Sequence, residues 1–86
     1  MPLGGEFQIH QVEIPKLGSK WILIDHDKSK CPLTCEVLDV GPDMGDGAMR
    51  KFVFTAIGTG YSEIVLWHQG EGDGFIESAS YGVEVR

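Results

Sequence analysis

The chain has few positive charges, no asparagine and no long apolar segment. Seven Lys and Arg residues stand against 13 Asp and Glu residues, which gives a formal net charge of −6. Nucleic acids and anionic membranes are bound mainly through Lys and Arg, so this balance argues against both as partners. The absence of asparagine excludes N-glycosylation. No apolar segment approaches the roughly 20 residues that cross a bilayer.

Cysteine is also scarce, with only Cys31 and Cys35 present. Three residues separate them, a spacing that matches neither a redox CxxC motif nor a zinc-binding pair. We favour two free thiols that are buried or half-buried, and a short-loop disulfide is the alternative for an exported protein. Residues 1–7 lack the basic region and apolar stretch of a secretory signal, and the compartment is left open.

No pattern of catalytic or metal-binding residues stands out. The three histidines, His10, His26 and His68, have no Ser or Cys placed beside them by a known motif, and GxSxG is absent. Acidic side chains cluster at 25–27, 43–46 and 71–73, but residues 43–47 lack the spacing and closing Glu of an EF-hand loop. Clustered acids in loops are usually solvated, so the sequence predicts no bound metal. Because no catalytic motif is present, the sequence also predicts no enzyme and no cofactor.

The clearest structural signal is the segment 52–67, FVFTAIGTGYSEIVLW, in which two strand-like runs flank Gly58-Thr59-Gly60. Apolar residues alternate with others in each run, and a period of two is typical of strands with one face in a core. The predicted inward residues are Phe52, Phe54, Ile64 and Leu66. With a glycine turn between them, the two runs predict a β-hairpin.

Further strands are predicted at 6–14, 20–25, 35–40 and 75–86, and no helical periodicity of useful length is present. In the first of these, a slip between two apolar pairs predicts a bulge or kink. The second is apolar on both faces and is predicted to be central, with its Trp21 buried and the later Trp67 more accessible. Six or seven short strands predict a single domain over 1–86, either a β-sandwich or a small barrel, with residues 1–5 as a disordered end.

The segment 5–21, GEFQIHQVEIPKLGSKW, resembles the part of chagasin-type cysteine protease inhibitors in which a strand leads into an NPTTGYxW motif. Pro15, Gly18 and Trp21 match the motif's Pro, Gly and Trp. Residues 45–48 lie where the family has a GxGG motif. The other motif positions differ, and HQGEGDG at 68–74 stands where the family has Arg-Pro-Trp.

This resemblance implies an immunoglobulin-like β-sandwich in which three loops share one end and fill the active-site cleft of papain-like proteases. Leu17 would be the apolar tip, residues 45–48 would approach the enzyme by their backbone, and Trp67 or His68 would flank them. The implied partner-binding residues are Pro15, Lys16, Leu17, Gly18, Gly45, Asp46, Gly47, Ala48, Trp67 and His68.

The alternative is a non-inhibitory interaction or structural domain of the same fold. Val65 and Trp67 share one face of their strand, opposite Ile64 and Leu66. If that face is uncovered, it forms an apolar patch suited to a protein interface. Either function predicts a protein partner and no catalysis.

Overall fold

Six strands form two three-stranded antiparallel sheets. The computed structural model describes residues 2–40 and 47–86. The strands are β1 (Glu6–Glu13), β2 (Lys20–Asp25), β3 (Leu33–Asp39), β4 (Ala48–Thr55), β5 (Gly60–Gln69) and β6 (Phe75–Val85). The first sheet has the order β1-β4-β3 and the second has the order β2-β5-β6. The predicted immunoglobulin-like, all-β sandwich is confirmed.

Among the described residues, two short 3₁₀ turns, Pro15–Leu17 and Glu71–Asp73, interrupt the connections at one end. Within the described ranges, no helix is long and apolar enough to cross a membrane.

The core lies between the sheets. Most of its buried side chains come from the central strands β4 and β5, and the edge strands β1 and β2 add one each. Its buried members are Ile9, Trp21, Phe52, Phe54, Ile64 and Leu66. Each large apolar side chain buried in this way contributes about 1.5–3 kcal/mol to stability. Trp21 is 4% exposed and Trp67 is 41% exposed, so both tryptophan predictions are confirmed.

The hairpin predicted for 52–67 is wrong, although both of its strands are present. Thr55 at the end of β4 pairs with Glu6, and Gly60 at the start of β5 pairs with Val85. The two strands therefore belong to different sheets, and each is the middle strand of its own sheet. Their inward side chains meet face to face across the core instead of lying side by side.

Residues 56–59 cross from one sheet to the other and are held by backbone bonds from outside the segment. The Ala56 N–H donates to the Gly5 carbonyl at 2.8 Å, and the Ile57 N–H donates to the Lys30 carbonyl at 2.7 Å. These bonds satisfy backbone groups that a hairpin turn would have paired locally.

Two further strand predictions are corrected. β1 runs in continuous register from Glu6 to Glu13 against β4, without the predicted bulge. β2 is an edge strand and not a central one, and the register shift lies in β2 itself, between Leu23 and Asp25.

The chain start and the cysteines also have defined places. In the segment predicted to be disordered, the Gly4 N–H donates to the Ala56 carbonyl at 2.7 Å and the Leu3 N–H donates to the Arg86 carbonyl at 3.3 Å. Both cysteines are free thiols. Cys31 is buried as predicted. The predicted burial of Cys35 is wrong, because this residue is exposed on the edge strand β3.

Candidate functional site

Strand pairing brings three connections to one end of the sandwich. Glu13 at the end of β1 pairs with Ala48 at the start of β4, and Lys20 at the start of β2 pairs with Gln69 at the end of β5. In an antiparallel pair, the end of one strand lies beside the start of its neighbour. The connections that leave this end join β1 to β2, β3 to β4, and β5 to β6.

The β1–β2 connection is a tight loop closed by its own hydrogen bonds. Pro15 begins the 3₁₀ turn, where its missing N–H costs nothing. Gly18 ends the turn in the left-handed region, with φ of 78°, and its N–H donates to the Pro15 carbonyl at 2.9 Å. At the base, the Ile14 N–H donates to Ser19 Oγ at 2.7 Å. Leu17 is left at the tip with 65% of its surface exposed.

The β5–β6 connection packs directly against this loop. A Cβ atom added at Gly18 would lie 3.3 Å from the Cα of Glu71, so the lack of a side chain allows the two backbones to approach. The β5–β6 connection is closed by the Gly70 N–H, which donates to the Gly74 carbonyl at 2.6 Å.

A cavity of about 410 Å³ opens between these two loops. Its lining consists of Val12, Glu13, Ile14, Leu17, Ser19, His68, Gly70, Glu71 and Ile76. Ile76 is directed here by a β-bulge, because Glu77 pairs with His68 while Phe75 pairs with the next residue, Gln69. The apolar walls come from segments far apart in sequence.

Glu13, which lines the cavity, forms an ion pair with Arg50. Arg50 Nε donates to Glu13 Oε1 at 2.6 Å, and Arg50 Nη2 donates to Glu13 Oε2 at 3.1 Å. The Trp21 N–H also donates to Glu13 Oε1, at 3.0 Å. Burial acts to raise the pKa of Glu13, but the bonds from Arg50 and Trp21 outweigh it and hold the pKa below its ordinary value. The Glu13 carboxylate therefore has a structural role, because its two oxygens accept bonds from Arg50 and Trp21.

His68 also serves packing at the edge of the cavity. Its ring stacks on Trp21 with centroids 4.6 Å apart and planes 4° from parallel. The Nδ1 atom lies 3.3 Å from Glu77 Oε1, and Nε2 is buried without a partner in the described residues. Beneath it, Trp21 Nε1 donates to the Val12 carbonyl at 3.0 Å. The stack supports the base of the Leu17 loop.

No family model matches the chain, and no curated protein matches it in sequence. Solved structures with a similar fold include the following two. The cysteine protease inhibitor EhICP2 from Entamoeba histolytica matches with a TM-score of 0.85 at 18% identity, over 100% of this chain and 83% of that chain. The solution structure of amebosin matches with a TM-score of 0.70 at 17% identity and the same coverage. This chain has a chagasin-like fold.

Only some of the predicted contact residues of this chagasin-like domain lie beside the cavity. The four residues from Pro15 to Gly18 form the loop beside the cavity. Gly45 and Asp46 lie outside the described residues. Gly47 is half-buried, and Ala48 is fully buried beside Glu13 at the start of β4.

The last two predicted residues lie on opposite faces of β5. His68 points inward onto Trp21, whereas Trp67 lies on the outer face against Phe75, with ring centroids 5.4 Å apart. Val12 and Ile76 line the cavity but are not among the residues that the sequence predicts. The only signal for the second of these was a pair of adjacent apolar residues, Phe75 and Ile76, at a strand start.

Metal chemistry finds no support in the described part of the chain. Within residues 2–40 and 47–86, no group of three or more His, Cys, Asp or Glu side chains is arranged to hold an ion. The acidic residues Asp43 and Asp46 lie outside those ranges.

Proposed function

We propose that this chain is a non-catalytic binding module that blocks the active-site cleft of a papain-type cysteine protease. The observation that carries the proposal is Leu17, an exposed apolar side chain at the tip of a closed loop, beside an apolar cavity. A projecting loop on a rigid sandwich is a common way to build recognition. The fold likeness to a protein described as a cysteine protease inhibitor supports the same conclusion.

Inhibition would work by occupying the cleft, with no bond formed or broken. Leu17 would enter an apolar subsite, and full burial of such a side chain contributes about 1.5–3 kcal/mol. Pro15, Lys16 and Gly18 would contact the enzyme around it, and residues 45–47 would approach by their backbone. Ala48 is fully buried and would not contact the enzyme. His68 would act from below by supporting the loop, since its ring is stacked on Trp21.

We expect weaker inhibition than from chagasin-type proteins that carry Arg-Pro-Trp in the third loop. Arg and Trp are among the residue types that most often dominate interface energies. This chain offers the exposed acid Glu71 at that connection instead.

A papain inhibition assay with matched variants tests the proposal. Leu17→Asp puts a charge into the apolar contact and should raise the inhibition constant by at least about tenfold. Ile57→Asp is the control, because Ile57 is similarly exposed, at 56%, but lies in the crossover at the opposite end of the sandwich. Absence of inhibition by the wild type at high micromolar concentration, or equal losses in both variants, would refute inhibition by this end.

One observation favours the second function, a non-inhibitory interaction domain. The outer face of the second sheet carries Trp67 and Phe75, which are 41% and 60% exposed, with Ile22 paired to Trp67. Apolar surface of this kind often marks an interface. If this face binds the partner, Trp67→Ser should abolish binding and Leu17→Asp should leave it intact.

A further inference from the structure

The strand β6 forms a long, open edge of the second sheet. It is the longest strand, and its regular ladder with β5 extends from Glu77 to Val85. Among residues 2–40 and 47–86, no strand pairs with its other edge. An edge of this kind presents a row of backbone N–H and C=O groups that can accept another strand.

The other edge strands carry features that natural proteins use to prevent such pairing. β2 is six residues long and contains a register shift, and β3 also contains a shift near its start. β1 has a Glu at each end. By contrast, the stretch 78–83 of β6, SASYGV, has no charge, no proline and no register shift. β6 is therefore less protected than β2 and β3, and it is longer than β1, whose residues 7–12 are also uncharged.

We propose that β6 pairs antiparallel with β6 of a second copy of this chain about a two-fold axis. The charges of the strand permit this arrangement. Glu77 faces inward towards His68, whereas Glu84 lies opposite exposed Tyr61 on the outer face. Residues directly opposite each other in an antiparallel pair share a face. Glu77 of one copy therefore cannot lie directly opposite Glu84 of the other.

The register that pairs the whole regular ladder places Tyr81 at the two-fold axis. The half-buried Ala79 and Val83 then lie opposite each other on the inner face, where pairing removes more of their apolar surface from water. On the outer face, the Ser78 hydroxyl of one copy lies opposite the Glu84 carboxylate of the other, and it can donate a hydrogen bond to it.

This pairing is independent of the proposed inhibition. Because the two copies of β6 run in opposite directions, their loop ends point to opposite poles of the dimer. Both candidate sites are left accessible, and the dimer would be bivalent.

Sedimentation over a roughly hundredfold range of protein concentration tests the pairing, since mass action governs association. The wild type should shift from monomer to dimer. Ser80→Lys introduces an ammonium group beside the axis in each copy and should leave the protein monomeric. Thr34→Lys is the matched control, because Thr34 is an exposed hydroxyl residue on the edge strand β3, and this variant should still dimerise. Reducing buffer prevents disulfide links through exposed Cys35.

Hydrogen exchange of the wild type locates the contact without any substitution. Amides of Glu77–Val85 should gain protection as concentration rises, and amides of Leu33–Asp39 should not. A wild type that is monomeric at every concentration overturns the proposal. So does dimerisation of Ser80→Lys equal to that of the wild type, or dissociation of Thr34→Lys.

Discussion

Replacement of Arg50 by methionine should expose the cost of the buried carboxylate beneath the candidate site. Arg50→Met removes the guanidinium and keeps an unbranched apolar stem. It abolishes both bonds to Glu13, at 2.6 and 3.1 Å, and the bond from Nη1 to Glu36 at 2.8 Å. The Trp21 N–H still donates to Glu13, but no positive charge remains in contact with the carboxylate.

The size of the stability loss in Arg50→Met follows from the different burial of Glu13 and Glu36. The Glu13 side chain is 2% exposed, and removal of one partner from a buried ion pair costs roughly 3–5 kcal/mol. The Glu36 side chain is 38% exposed, and a surface pair contributes only about 0–1 kcal/mol. We therefore expect a loss dominated by Glu13. Small domains have a free energy of unfolding of only about 5–15 kcal/mol, so the loss is large.

The pH dependence separates this explanation from a general loss of packing. In the wild type, the pKa of Glu13 in the folded state lies below its ordinary value of 4.5. The unfolded state then binds more protons, so this stabilisation is complete above 4.5 and is lost as pH falls through the folded pKa. In Arg50→Met, burial is unopposed by Arg50 and raises the pKa of Glu13. The deficit of the variant should therefore shrink as the pH falls.

The assay is urea unfolding followed by tryptophan fluorescence at about pH 7 and about pH 4. Glu13→Gln is the control, because its amide oxygen can still accept the Trp21 N–H while Arg50 keeps its bond to Glu36. This variant should lose less stability than Arg50→Met near neutral pH. Equal losses in the two variants at both pH values would refute the reasoning.

Three further predictions address the core, the tryptophans and the loop contact. Phe54→Ala should cost roughly 3–5 kcal/mol by urea unfolding, because the ring is fully buried, and an unchanged midpoint would contradict this. A variant that retains only Trp21 should show blue-shifted fluorescence and weak quenching by acrylamide, whereas one that retains only Trp67 should be quenched readily; equal quenching would oppose the assignment. Gly18→Ala should cost about 1–3 kcal/mol in thermal unfolding, because φ is 78° and the new Cβ would press on Glu71. A change within experimental error would argue against strain there.

Strand positions were readable from the sequence because the inward residues alternate. Phe52 and Phe54 on β4, and Ile64 and Leu66 on β5, are all fully buried. Their partners were not readable, because alternation is the same in a hairpin and in a crossover between sheets. The bonds that select the crossover come from residues distant in sequence, such as Lys30.

The register of β1 was misread because a charged residue occupies an inward position. Glu13 is buried, while Val12 is 56% exposed and Ile14 is 38% exposed. The apolar pattern alone therefore assigns Val12 and Ile14 to the inner face, whereas the structure places Glu13 there. The residue that makes Glu13 acceptable in the interior, Arg50, lies 37 positions away. No local signal in a single sequence reports that pairing.

The sequence predicts the part of the candidate site that is formed by a loop. It does not predict the part that depends on how two strands pair. The loop from Pro15 to Gly18 has the turn chemistry of its residues, with proline first and glycine in the left-handed region last. The direction of Ile76 is instead set by a bulge opposite His68 and Gln69. That bulge is a property of two strands together.

The pairing of strands distant in sequence sets how this domain must fold. Glu6 pairs with Thr55 and Lys20 pairs with Gln69, so each ladder closes most of the chain into a loop. The entropy of closure is lost before the contacts form, and sandwiches of this kind fold in milliseconds to seconds. The β5–β6 pair, joined across a short turn, can form locally within about 1–10 μs. Until β2 pairs with β5, both edges of this two-stranded hairpin are unpaired, and the chain is then most prone to aggregate. Refolding at low protein concentration should therefore give the highest yield of native domain.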